Sequence, residues 1–200
     1  MIKSLSIKIS QYLEGKNSSL TKKDILKIQY VLEVILGDSI KFSIIFLIFF
    51  FLHELKLFFL IFIILNTTRP FMGGVHCKTF NSCLLWSVIY FSSISIFSLC
   101  ASHFNIEFYI SSFTIFFIVT LAFAPGPNEK RPVKNNGILK ILSLISLTLW
   151  SILFFKLPNI QINNCIFVSL FLQMFQLIYI NLKRGVFNGK FFKYFFNGTT

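Results

Sequence analysis

Four segments of this chain, roughly 84–102, 106–124, 138–157 and 162–181, are long, apolar and almost without charge. About 20 such residues cross the hydrocarbon core of a bilayer, and lipid offers no partner to an open backbone N–H or C=O. Each segment is therefore predicted to be a membrane-spanning helix. Lys140 and Lys156 sit at the ends of the third, and Gln161, Asn163 and Asn164 mark the entry to the fourth. The composition agrees, with 55% hydrophobic residues, 28 phenylalanines and a mean hydropathy of +0.75.

Residues 34–66 are less regular, because His53, Glu54 and Lys56 interrupt an apolar stretch. One long span would bury those charges at several kcal/mol each. The expected arrangement is two spans joined by a tight external turn at His53-Glu54-Leu55, the first borrowing residues from about 34 to 40; a re-entrant hairpin is the alternative. The fold class expected is thus all-α, a polytopic membrane helix bundle of about six spans in a single domain, 1–200. Within it, 1–33 would be cytoplasmic amphipathic helices, 34–181 the membrane helices and 182–200 a basic cytoplasmic tail.

Lysine and arginine in short loops favour the cytoplasmic side. Residues 1–33 carry six lysines, the 66–82 loop Arg69 and Lys78, and the 125–140 loop Lys130, Arg131, Lys134 and Lys140. The tail adds Lys183, Arg184, Lys190 and Lys193, against only Lys56 and Lys156 on the other set of loops. Both termini and the 66–82 loop are therefore expected in the cytoplasm. At the N-terminus, Ile2, Leu5, Ile9 and Leu13 stand at helical spacing against Lys3 and Lys8, which suits a helix lying on anionic lipid or capping the bundle. A second helix is expected after a cap at Ser19 or Thr21, with Ile25, Ile28, Leu32 and Ile35 on one face. The stretch MIKSLSIKISQYLEGKNSSLTKKD has no apolar core of signal-peptide length, so removal of a secretory peptide is not expected.

The net charge of +12 points to acidic lipid headgroups or an acidic partner. Nucleic acid is not the expected partner, because the cations are scattered between spans. Cys77, Cys83, Cys100 and Cys165 lack the spacing of a disulfide framework. Cys100 and Cys165 fall toward the external side, where a packing role suffices.

Chemistry gathers in Thr67 to Trp86, where Arg69, Pro70, Gly73, Gly74, His76, Cys77 and Cys83 lie between apolar runs. His76 and Cys83 can act as base and thiol nucleophile, since a neighbouring imidazole or a helix N-terminus favours the thiolate. Seven residues along one helix would separate them by about 10 Å, too far for a hydrogen bond. A working pair therefore requires a break. Pro70 is expected to stop the preceding helix, Gly73 and Gly74 to turn the chain, and Thr79 or Ser82 to cap a new helix bearing Cys83 in its first turn. A zinc site of His76, Cys77 and Cys83 fits poorly, with an unusual spacing and no fourth ligand near. Neither metal nor cofactor is expected. Asn66, Asn81 and Glu33 are candidates to orient His76. The competing class is a small transporter or anionic-lipid-binding protein without chemistry, using Arg69 and the 125–140 cations. Against it, no span is expected to carry near its middle the ionisable residue that a translocation path tends to need.

Arg69, then Gly74-Val75-His76, then Cys83, in a basic polytopic chain of this length, resembles the accessory gene regulator B (AgrB) family. The loop Ala124 to Val133 (APGPNEKRPV) and the stretch KIQYVLEVIL at 27–36 extend the likeness over essentially the whole chain. The resemblance implies a membrane cysteine endopeptidase of quorum sensing that trims an AgrD-type precursor and closes the remainder into a thiolactone or lactone ring. It implies Cys83 as nucleophile and His76 as base, with Gly73, Gly74 and Arg69 supporting; Cys77 stands where the family commonly has alanine. Family precursors end in an acidic segment, so Lys130, Arg131 and Lys134 could hold it, although positive-inside topology also explains them. A homodimer is what the family suggests.

Overall fold

The computed structural model describes residues 2–17, 20–75, 79–102, 104–126 and 136–188, with side chains as far as 183. The described residues form seven helices and no strand: α1 (Ile2–Lys16), α2 (Lys22–Phe51), α3 (Leu55–Met72), α4 (Phe80–Cys100), α5 (Ile106–Phe123), α6 (Asn136–Lys156) and α7 (Ile160–Asn188). Six of them, α2 to α7, are long and apolar enough to cross a membrane. The four spans expected from 84 onward are present; α4, α5 and α6 lie within about four residues of their expected ends, and α7 continues past 181 to Asn188.

The turn at His53-Glu54-Leu55 is present. Leu52, His53 and Glu54 donate backbone N–H groups to Ile48, Phe50 and Phe49, and His53 takes φ +57°. The helices on either side have 30 and 18 residues, and 18 residues at 1.5 Å each extend about 27 Å. That length is a span rather than a re-entrant loop.

Two compact units share the chain, 1–55 with 78–88, and 56–77 with 89–200. In the first unit α1 packs on α2. The residues it buries are Ser6 and Ser10, whose hydroxyls bond the carbonyls of Lys3 and Ile7. Leu5 and Leu13 from the expected apolar face stay exposed, because small serines let two helices approach where leucines would hold them apart. The second helix starts at Thr21, in a capping box with Asp24. No helix boundary falls at residue 33 or 34. Its amphipathic start and the first span are one helix, since the stretch between contains no proline and a single buried glycine, Gly37.

The second unit is built around α7, which packs with α5 and α6. Cys165, Ile166, Leu170, Gln173 and Leu177 on α7 have no exposed surface. At one end, Tyr109, Phe113, Phe116, Phe154 and Phe167 form an aromatic core, with Tyr109 centred 4.8 Å from Phe154 and 5.1 Å from Phe167. Tilted and edge-on rings of this kind gain about 1 kcal/mol per pair beyond the area they bury. Polar side chains stitch the helices: Ser146 donates to the Thr67 carbonyl, Trp150 to the Thr67 hydroxyl, Tyr90 to the Ser169 carbonyl and Asn164 to the Ala101 carbonyl. Large apolar residues such as Trp86, Ile96, Ile118 and Phe175 point outward, as lipid contact requires.

Replacing Phe154, which is 3% exposed, by alanine should lower unfolding stability in detergent or bicelles by about 3 kcal/mol. Phe175→Ala, at a position 63% exposed, should change it by less than about 0.5 kcal/mol. Equal losses would mean that the aromatic cluster is not the core.

Candidate functional site

The sequence asks for a break between the helix before Gly73 and the helix bearing Cys83, and α3 ends at Met72 while α4 begins at Phe80. Pro70 does not stop α3; it lies within the last turn, where its ring forfeits one hydrogen bond and its fixed φ is tolerated. The stop falls at Gly73, which adopts φ +92° and donates its N–H to the Arg69 carbonyl at 2.9 Å. That left-handed angle costs an L-residue with a side chain roughly 1–2 kcal/mol. A Cβ at Gly73 would also lie 3.2 Å from the Gly126 backbone.

Beyond Gly73 the chain runs without helix through Gly74 and Val75, so its backbone groups need partners outside any ladder. Side chains provide them. Gln173 donates to the Gly73 carbonyl at 2.5 Å, Arg69 Nη2 donates to the Val75 carbonyl at 2.8 Å, and the Val75 N–H reaches Gln176 Oε1 at 3.5 Å. The Gly126 N–H donates to the Met72 carbonyl at 2.8 Å. Arg69 lies so flat against Gly74 that a Cβ there would collide with its Nε. Arg69, Gly73 and Gly74 thus form one cluster, in which the arginine braces the segment that leads toward His76. Gln173 and Gln176 of α7 belong to the same cluster and were not singled out from the sequence. Their signal was two amides three residues apart in an apolar span, which places them on one helix face.

In the other unit, Thr79 opens α4: its hydroxyl accepts from the Ser82 N–H at 3.3 Å, and its carbonyl accepts from the Cys83 N–H at 3.1 Å. Cys83 therefore closes the first turn, partly exposed. Its sulfur has a neighbour from 42 residues earlier, Lys41 of α2, with Nζ 3.6 Å from Sγ. The same Nζ pairs with Asp38 at 2.5 Å, one turn back. Both charges lie within the stretch expected as the first span, a pair that the reading of that span did not name. Lys41, with Asp38 behind it, is the polar neighbour of the thiol that sequence reading missed.

His76 and Cys77 lie outside the described residues, as do Lys130, Arg131, Lys134 and Ser19. Of the candidates to orient a histidine, Asn66 spends its amide on the Phe62 carbonyl within α3. Cys100 is exposed and Cys165 fully buried, and the three described cysteines are free thiols.

Six apolar helices define a multi-pass helical membrane protein, and its helix break and free thiol at a helix start set it apart from a plain bundle. The Accessory gene regulator B family, AgrB, matches residues 6–177. A protein of Clostridium beijerinckii described as AgrB-like is 56% identical over 200 residues, the whole of both chains. The chain belongs to the AgrB family, as the Arg69 to Cys83 motif suggested. Membership supports involvement in agr quorum-sensing peptide processing. No solved structure matches it.

Gly74→Ala should force Arg69 off the Val75 carbonyl, and Gly73→Ala should cost about 1–3 kcal/mol of stability. Gly137→Ala, with open space around it, should be neutral or slightly stabilising. Thermal unfolding in detergent checks the order; a Gly73→Ala protein as stable as Gly137→Ala would refute the left-handed turn.

Proposed function

We propose that this chain is a membrane cysteine endopeptidase that cleaves the C-terminal segment from an AgrD-type precursor and promotes closure of the remainder into a thiolactone or lactone. The observation that carries the reading is the break at Gly73–Val75, which ends α3 and leaves Cys83 on a helix with its own start. A continuous helix through residues 74–84 would have held His76 and Cys83 about 10 Å apart.

In this reading His76 takes the Cys83 proton, and the thiolate attacks the scissile carbonyl. His76 then returns the proton to the leaving amine, so the acidic segment departs with a new N-terminus and an acyl-enzyme thioester remains. The precursor's own thiol attacks that thioester, passes its proton to His76, and leaves as a ring while Cys83 is regenerated. One thioester is exchanged for another at little cost in free energy, provided water is kept from the acyl-enzyme. Backbone N–H groups in the first turn of α4 are candidates for the oxyanion. The catalytic loop and both termini face the cytoplasm, where Lys130, Arg131 and Lys134 hold the precursor's acidic end.

Coexpression with a candidate precursor tests the reading. Cys83→Ala and His76→Ala should each abolish cleavage at normal membrane abundance, and Cys77→Ala should leave it largely intact. Persistent cleavage by Cys83→Ala would refute the assignment and favour a non-catalytic membrane protein. Exchanging Lys130 and Arg131 together for Gln should weaken cleavage and flatten its dependence on salt, with insertion unchanged; unaltered kinetics would remove these cations from substrate binding.

A further inference from the structure

We propose that Lys41 is a functional partner of Cys83, its ammonium holding the sulfur in the thiolate form, with Asp38 fixing the ammonium in place. The inference rests on Cys83 being the nucleophile, and it adds a charge to the site that the His76–Cys83 pair does not contain. Three observations in one unit carry it. Lys41 Nζ lies 3.6 Å from Sγ, within the range of an N–H to sulfur hydrogen bond. Asp38 holds the same nitrogen from the preceding turn of α2. The Lys41 side chain is only 18% exposed, whereas that of Asp38 is 64% exposed.

An ammonium withdrawn from water to that degree is costly unless it is paired. A lysine four carbons long could reach water from most places on a helix surface. Lys41 instead points at the thiol. The contact follows from how α4 starts on α2: the Phe80 ring lies over Gly37, about one turn before Lys41, and Cys83 follows Phe80 by three residues. Gly37 with Lys41 and Phe80 with Cys83 each share a helix face, so the two helices run the same way here and the pairs stack. Among the described residues, the charged groups at this sulfur are Lys41 and, behind it, Asp38.

The chemistry is a division of labour. A nearby cation favours the thiolate over the thiol, and it does so most where solvent screens it least. Lys41 gives up no proton in any step; the Cys83 proton passes to His76, and the ammonium opposes the negative charge left on sulfur. When the sulfur becomes an acyl thioester that charge disappears, and it returns as the ring closes and the thiolate leaves. The cation therefore assists both the attack and the release. Asp38, mostly in solvent, holds the ammonium in position while its own charge is screened from the sulfur.

The test uses the purified full-length protein in detergent or nanodiscs, with iodoacetamide as the thiol probe and modification at Cys83 read by peptide mass across pH 6 to 9. At neutral pH, Lys41→Met should slow alkylation of Cys83 by about tenfold. Lys41→Arg should retain most of the wild-type rate, and Asp38→Asn should lose a smaller factor, about threefold. Cys100, exposed and remote in sequence, provides an internal standard whose rate should not change. Should Lys41→Met fail to accumulate, Lys41→Gln, polar and uncharged, carries the same expectation. A Cys83 profile identical to wild type in the uncharged variants overturns the proposal, and so does an arginine variant as slow as the methionine one. Precursor cleavage by Cys83→Ser, measured separately, decides the endopeptidase reading. Cleavage that survives Cys83→Ser with alkylation still slowed in Lys41→Met would sink the peptidase and leave the lysine–thiol pair standing.

Discussion

Everything distinctive in this bundle depends on the rule that a backbone withdrawn from water must have its hydrogen bonds made by protein. A helix meets that rule by itself, and a break in a helix does not. Between Met72 and Val75 the broken segment is covered from three directions: Gly126 takes the Met72 carbonyl, Gln173 the Gly73 carbonyl, and Arg69 with Gln176 the two ends of Val75. Two amides on α7 and one guanidinium thus do for this segment what an i to i−4 ladder does elsewhere. The break is tolerated because the longest helix of the second unit carries its missing partners.

Much of this architecture was legible in the chain. Periodic apolar runs of spanning length gave the helices, and the His53-Glu54-Leu55 interruption gave the turn, because charge at mid-span is too costly to overlook. The need for a break before Cys83 followed from the fixed rise of a helix. The mechanism of that break was only half legible: Pro70 reads as a stop by rule, yet α3 runs two residues past it, and the left-handed Gly73 ends the helix instead. The amphipathic reading of α1 named its leucines and missed that serines make its contact. A hydrophobic pattern reports which face is greasy, not which face fits.

Lys41 and Asp38 were invisible for a different reason. Their meaning comes from α4, 42 residues later, and from the way α4 starts on α2. Against the sequence they are two charges near the edge of a span, an ordinary pair at one-turn spacing. Only the register set by Phe80 over Gly37 turns that pair toward sulfur. Gln173 and Gln176 share this character, since an amide in a span has no assigned partner until the loop it serves is placed.

The unbroken course of α2 has a mechanical meaning. Its 30 residues run about 45 Å, longer than the hydrocarbon core is thick, and Lys41 lies on the same unbroken helix against which α1 packs. A helix without a proline or other break tilts and turns nearly as one piece. Whatever sets the angle of the surface helices, such as leaflet charge or an amphipathic peptide lying beside them, also sets the direction in which Lys41 points. The membrane surface and the thiol are then coupled by stiffness alone, with no hinge between them to absorb a change.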